Sequence, residues 1–378
     1  MVNLRRFKKS YIQNNIMGFK CGIIGLPNVG KSTLFNALTK SQIPAENFPF
    51  CTIDPNVGKV PLPDLRLNKI NDIVNSAKII PATLDLVDIA GLVKGASEGE
   101  GLGNAFLSNV REMSALAHVV RCFDDENITH VNGSVNSKRD VEVINLELIL
   151  SDLESVNKRI VKCEKLLKTN DKDNKNQFEL LNLIKCELEK GKLIDIQKFN
   201  DEEQKIIKQF QLLSSKPTFY IGNISESKKS SEELSRLEEI AGELGTFVIP
   251  TSIKIEQEIS LLQEDEKKEY LDLMGMKEPV LNKIIFEGYK MLGLKTFFTA
   301  GSNEIRAWTI KNGFTAPNAA GVIHSDFERG FIKAEVIDFD DYIKNGGELG
   351  SKENGKLRLE GKEYLVKDGD VIHFKFNV

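Results

Sequence analysis

The sequence predicts an α/β fold on a mainly parallel sheet, interrupted by a helical insertion and followed by a small α+β domain. Three observations predict it. Short apolar runs alternate with helical stretches over residues 17–138 and again over 215–294, the pattern of repeated βαβ units. Over residues 139–214 that alternation stops and a heptad-like seam replaces it. Over residues 295–378 the chain breaks into short strand-like pieces separated by turns. At 378 residues the chain exceeds what one core usually organises, so several domains are expected.

The first apolar run, Phe19 to Gly25 (FKCGIIG), suits a buried parallel strand ending in glycine. A helix is predicted to open at Lys31 with Leu34, Phe35 and Leu38 on one face. Further strands are predicted at Thr83–Ile89, Ala117–Phe123, Pro217–Ile221 and Thr246–Pro250. In the insertion, Leu146, Ile149, Leu153, Val156, Ile160, Cys163 and Leu167 recur at alternating steps of three and four. The polar stretch Thr169–Asn176 cannot continue that seam and reads as a hairpin tip, after which Leu181, Ile184 and Leu188 resume it. The insertion therefore reads as a helical hairpin or coiled-coil arm. Lys158, Arg159, Lys162, Lys165 and Lys168 make the end of its first helix basic, either as a solvated face or as a contact for nucleic acid or another partner. In the last domain, strands are predicted at Ile305–Ile310, Phe331–Ile337, Lys356–Leu359, Tyr364–Val366 and Val371–Phe376.

Bulk properties narrow the function. A formal net charge of −4 rules out attraction of the whole molecule to nucleic acid, leaving only a local patch for such a contact. Five scattered cysteines without a CxxC pair suit reduced, mostly buried thiols, so a cytoplasmic protein is expected. No apolar run is long enough for a membrane span. The basic stretch of residues 1–16, with Arg5, Arg6, Lys8 and Lys9, reads as a targeting segment, a frayed tail, or an extension upstream of a start at Met17.

The chemistry is carried by Gly25-Leu-Pro-Asn-Val-Gly30-Lys31-Ser32, which matches G-x-x-x-x-G-K-[ST] after a predicted strand and before a predicted helix. Glycines allow backbone N–H groups to turn inward around phosphate oxygens, and the helix N-terminus adds its positive end. Gly25, Asn28, Val29, Gly30, Lys31, Ser32 and Thr33 are thus the expected phosphate-binding residues. Lys31 supplies a cation for the β- and γ-phosphates and Ser32 a hydroxyl for Mg²⁺. Thr52, alone an ordinary loop threonine, becomes a second Mg²⁺ ligand in the presence of this loop. Asp88, at the end of a predicted strand, is placed to hold Mg²⁺ through water, with Gly91 approaching the γ-phosphate. The glycine-rich stretch Gly95–Gly103 reads as a switch loop.

Together with NFPFCTIDPN, DIAGLVKGASEGEGLGNAFL, HVVRCF, HVNG and the terminal DGDVIHFKFNV, these residues resemble the Obg-like ATPases, the YchF-type branch of the GTPase-related P-loop proteins. The likeness spans residues 17–378. It implies a P-loop NTPase domain of the G type, a coiled-coil arm, and a C-terminal TGS domain of ubiquitin-like β-grasp fold. It also implies a monomer and a translation- or stress-associated switch that contacts the ribosome or ribosomal RNA.

Guanine-specific relatives read their base with N-K-x-D, whereas this chain has Asn223-Ile224-Ser225-Glu226. The longer Glu226 misplaces a bidentate acceptor, a loss of about 1–3 kcal/mol by analogy with base-edge recognition. That removes guanine preference without creating adenine preference. The resemblance supplies the second step, since N-x-x-E members favour ATP, with Asn223 and the backbone of Ile224 near the base. GTP is then the weaker substrate. Leu92 stands where many GTPases orient the attacking water with glutamine. His130, in a polar loop, is the leading replacement, and the resemblance implies a catalytic role for it. His118 is expected to be structural, at the start of its strand. Asn28 is also a candidate to position K⁺. A ribosome-binding module whose hydrolysis is only a timer, and a GTPase with relaxed base selection, are the competing readings.

Overall fold

The computed structural model describes residues 19–40, 56–89, 102–125, 127–131, 133–166 and 172–377. Two compact units are formed, Lys20–Gly58 with Leu86–Val280, and Lys59–Asp85 with Leu281–Val378. Thr52, Gly91, residues 1–16, Leu167, Lys168 and all but the end of Gly95–Gly103 lie outside the described residues.

The first sheet comprises β1 (Lys20–Ile24), β2 (Val57–Pro61), β4 (Thr83–Asp88), β5 (Ala115–Arg121), β6 (Thr218–Asn223) and β7 (Val248–Thr251). Their order is β2-β4-β1-β5-β6-β7. β1 pairs parallel with β5, β5 with β6, and β6 with β7. Parallel strands need crossovers, and helices α3 (Leu102–Glu112) and α7 (Lys228–Glu243) supply them, while α1 (Lys31–Lys40) leads out of β1. Burial on both faces explains the continuous apolar runs: every residue of β5 is buried. His118 lies mid-strand rather than at the strand's start, opposite Ile24 on one side and Tyr220 on the other. Because these strands run the same way, Ile24, Arg121, Asn223 and Thr251 all end at one edge of the sheet. In open α/β sheets that carboxyl edge is where ligands bind.

Residues 137–214 hold α4 (Ser137–Leu166), α5 (Lys172–Glu189) and α6 (Asp201–Phe210). Ile149, Val156, Ile160 and Cys163 of the predicted seam are buried with Leu181, Ile184 and Leu188. The same cluster takes in Ile207 and Phe210 of α6, so a third helix closes a core expected from two. Leu146 is half exposed and outside that cluster. The predicted tip is shorter than its polar composition suggested, because α5 already starts at Lys172. A solvent-facing turn needs no apolar seam, only helix-compatible residues and pairs such as Lys175–Glu179 at i,i+4.

The other unit contains α2 (Leu65–Val74), β3 (Ile79–Ile80), and the run from β8 (Leu294–Ala300) and β9 (Ile305–Lys311) through α11 (Ala316–Ile323) to β10 (Phe331–Ile337), β11 (Arg358–Glu360) and β12 (Val371–Phe376). Its sheet is mixed, in the order β11-β10-β12-β8-β9-β3. The alanine-rich face of α11 (Ala316, Ala319, Ala320) lets the helix lie close over Phe297, Phe331 and Phe374. Tyr364–Val366, predicted as a strand, makes only the bridge Thr315↔Leu365. Asp370 instead accepts Tyr364 Oη at 2.7 Å and the Lys367 amide at 2.8 Å, curling this segment into a turn.

α8 (Ile253–Ser260), α9 (Glu264–Leu273) and α10 (Val280–Met291) follow β7, with α8 against α1. Short helices α12 (Ser325–Arg329), α13 (Phe339–Lys344) and α14 (Glu348–Glu353) complete the C-terminal part.

Candidate nucleotide-binding site

The predicted phosphate loop joins β1 to α1 in backbone that only certain residues accept. Gly25 has φ 148° and Gly30 φ 104°. A Cβ on Gly25 would stand 2.4 Å from the Val119 carbonyl oxygen, and one on Gly30 2.9 Å from Asn223 Nδ2. Asn28 takes a left-handed φ of 61°, which asparagine tolerates better than most residues. Val29 is buried, Ser32 exposed and Thr33 half-buried. No acid stands in the first turn of α1, so no residue of the helix itself offsets its positive end.

Lys31 is 7% exposed, and its Nζ donates to the Leu26 carbonyl at 2.7 Å, folded back over its own loop. Burial lowers its pKa to about 8, against the opposing pull of Asp88. Asp88 ends β4, where its amide donates to the Asn56 carbonyl at 2.9 Å. Among the described residues its buried Oδ1 has no hydrogen-bond partner. A carboxylate oxygen buried without a donor suits a hard cation, so Asp88 fits the Mg²⁺ that enzymes of this class employ.

Asn223 closes the loop from the far side. Its Nδ2 donates to the Val29 carbonyl at 3.0 Å, and its Oδ1 accepts the Ile253 amide at 3.3 Å. One buried amide therefore staples the phosphate loop to the start of α8. The Ile224 amide donates to the Thr251 carbonyl at 3.1 Å, tying the next residue to β7. Glu226, three residues on, is exposed.

His130 is 8% exposed, and its Nε2 donates to Asp140 Oδ2 at 2.8 Å. Asp140, in the first turn of α4, takes Arg139 on its other oxygen, Nη2 to Oδ1 at 3.1 Å. Next to His130, the Thr129 carbonyl accepts Asn28 Nδ2 at 3.3 Å, which brings this loop to the phosphate loop. The loop is built on Arg121, a guanidinium 2% exposed whose nitrogens donate to the carbonyls of Phe123 (2.9 Å), Ile128 (3.0 Å) and Asp125 (3.3 Å). His118 is 1% exposed, and its Nδ1 has no partner among the described residues. Burial, then the charge of Lys31, lowers its pKa to about 3, so it is neutral at physiological pH.

Lys31, Asp88, Asn223, Asn28 and the His130 loop thus gather at one sheet edge, while Glu226 points to solvent. Sequence reasoning missed Arg121 and Asp140. An arginine inside the apolar run AHVVRCF was a usable signal, because a buried cation must organise polar groups around it. Asp140 resembled any acid in a helix's first turn.

Two family models match the chain. One, described as a 50S ribosome-binding GTPase, covers residues 20–182. The other, the YchF-GTPase C-terminal family, described as a protein of unknown function, covers residues 294–377. The protein from Pasteurella multocida named ribosome-binding ATPase YchF is 53% identical over 96% of this chain and 100% of its own. Proteins of the same name from Bacillus subtilis and Escherichia coli O157:H7 are each 52% identical, with the same coverage. The solved structure of the Schizosaccharomyces pombe YchF GTPase superposes with a TM-score of 0.86 at 38% identity, covering 95% of this chain and 98% of that one.

Proposed function

The chain belongs to the YchF family of ribosome-binding ATPases, and from that premise we propose how its own residues bind ATP and direct its hydrolysis. It is a nucleotide-dependent ATPase of P-loop type that acts in association with the ribosome. Backbone amides from Gly25 to Thr33 and the positive end of α1 receive the phosphates. Lys31 leaves the Leu26 carbonyl for the β- and γ-phosphate oxygens. Ser32, Thr52 and Asp88 would hold Mg²⁺, which when bound would neutralise charge developing on the phosphoryl oxygens. Gly91 reports the γ-phosphate to the following stretch. His130 orients the water that attacks in line. Asn223 holds the phosphate loop against α8, and the Ile224 backbone borders the base, with Glu226 absent from the role aspartate plays in guanine readers.

The observation carrying this reading is Lys31, a buried amine held by the Leu26 carbonyl of its own loop, beside an Asp88 oxygen that no donor reaches among the described residues. Such groups are costly unless a ligand uses them. Turnover of His130→Ala tests the catalytic assignment: loss of most hydrolysis with ATP affinity retained supports it, and near wild-type hydrolysis refutes it. K⁺ held near Asn28 is part of the same reading, and turnover in KCl against NaCl checks it.

In this reading α4 and α5 are a coiled-coil arm over residues 139–214. Residues 295–378 are a TGS domain of β-grasp type, and 17–138 with 215–294 the nucleotide domain. The protein is a monomer whose arm meets ribosomal RNA through Lys162 and Lys165, both exposed. Arg159 is less available, stacked 5.2 Å from the Phe210 ring centroid. Sedimentation with ribosomes in ATP and in ADP separates a nucleotide switch from a hydrolase that acts alone. Different ribosome-bound fractions are expected, and equal ones would contradict the switch.

A further inference from the structure

We propose that Asp140 is a positioning residue: it keeps His130 docked at the root of α4, and hydrolysis proceeds from a state in which that pair has opened. The inference rests on His130 being the group that orients water, and it adds what controls that group. A carboxylate only accepts hydrogen bonds, so the 2.8 Å contact commits the Nε2–H of His130 to Asp140. The two side chains are 5% and 3% exposed, so in this arrangement the imidazole is closed off from bulk solvent. Asp140 is fixed as well. Its second oxygen is held by Arg139, whose guanidinium also donates to Ser134, and its amide donates to the Asn136 carbonyl at 3.0 Å. In this arrangement His130 is withheld.

Both ends of the contact lead to elements that can move it. On one side, Thr129 is bonded to Asn28 of the phosphate loop, so phosphate binding acts on the residue next to His130. On the other, Asp140 lies in the first turn of α4, one turn after Ser137. The Ser137 amide and hydroxyl donate to Glu233 Oε2 of α7 at 2.7 and 2.9 Å. The root of α4 is therefore clamped twice, to α7 by Ser137 and to the His130 loop by Asp140. A shift of α4 draws Asp140 away from His130, which makes the helical insertion a lever on hydrolysis. Turnover scales with the fraction of molecules in which His130 is released.

Steady-state ATP hydrolysis by Asp140→Asn, Arg139→Gln, His130→Ala and the double variant His130→Ala/Asp140→Asn tests this. Losing a charge-assisted bond of this kind is expected to raise kcat of Asp140→Asn about ten-fold, with KM for ATP unchanged. Arg139→Gln, which loosens the carboxylate without removing it, is expected to raise kcat less and stands in should Asp140→Asn fail to fold. The double variant should fall to the level of His130→Ala, because the gain runs through the imidazole. A merely structural Asp140 would lower stability and leave kcat flat or reduced. Unchanged or lower kcat in the folded variants, with His130→Ala inactive, overturns the proposal. Full turnover in His130→Ala instead overturns the assignment on which it rests.

Discussion

An amine 7% exposed, with a pKa near 8, is poised between a buried cation and a neutral donor. A polyphosphate beside Lys31 restores the charge that burial disfavours, so its pKa must rise on binding. Above about pH 8 the unliganded protein has lost the Lys31 proton and the complex keeps it, so ATP affinity falls as pH rises through that range. Calorimetry at about pH 9 in two buffers of different ionisation enthalpy should show uptake of about one proton per ATP, absent in Lys31→Met. Proton release, or no pH dependence, would contradict this. Much of the site was legible at this scale, because a phosphate loop depends on residue types at fixed spacing. Asn223 was legible as a motif member, but its work proved to be structural as well: it bridges Val29 to Ile253. The His130–Asp140 pair was not legible, since ten residues of loop and helix cap carry no periodic signal.

At the scale of elements, the helical insertion shows what a seam can and cannot reveal. Apolar spacing located α4 and α5 but not α6, whose contribution of Ile207 and Phe210 comes from a short, strongly polar helix. α6 is held at its start by a capping box between Asn200 and Glu203. The chain leaving it is pinned by Asp152 of α4, which accepts the Leu213 amide at 2.9 Å, the Ser214 amide at 2.8 Å and the Ser214 hydroxyl at 2.6 Å. Asp152→Ala strands these buried donors, at a local cost on the order of 3 kcal/mol. Hydrogen exchange at the Leu213 and Ser214 amides is expected to accelerate roughly a hundred-fold. Unchanged exchange would show that the aspartate is not what closes the insertion. Strands β2, β3 and β8 escaped the sequence reading for different reasons. β2 (VGKVP) carries a glycine and a proline that read as loop, β3 is two residues long, and β8 opens directly after Gly293 at φ 64°, a lone glycine that reads as the end of the preceding helix.

Over the whole molecule, the parallel pairing of β1, β5, β6 and β7 brings four strand ends to one edge of the first sheet. The second sheet was harder to foresee because its neighbours are distant in sequence: β12 joins β8, and β9 joins β3. Phe297 of β8 and Phe374 of β12 pack in one cluster with Phe331 under α11, a contact that spacing alone does not encode. Among the described residues no helix is long and apolar enough to cross a membrane. The central claim is that the loop Gly25–Ser32, with Lys31 and Asp88, grips a nucleoside triphosphate and that this chain selects ATP. Calorimetric titration of the nucleotide-free protein with ATP and with GTP, Mg²⁺ present, tests it most directly. Binding of ATP at least about ten-fold tighter than GTP is expected. Equal or tighter binding of GTP, or no heat from either nucleotide, would contradict it.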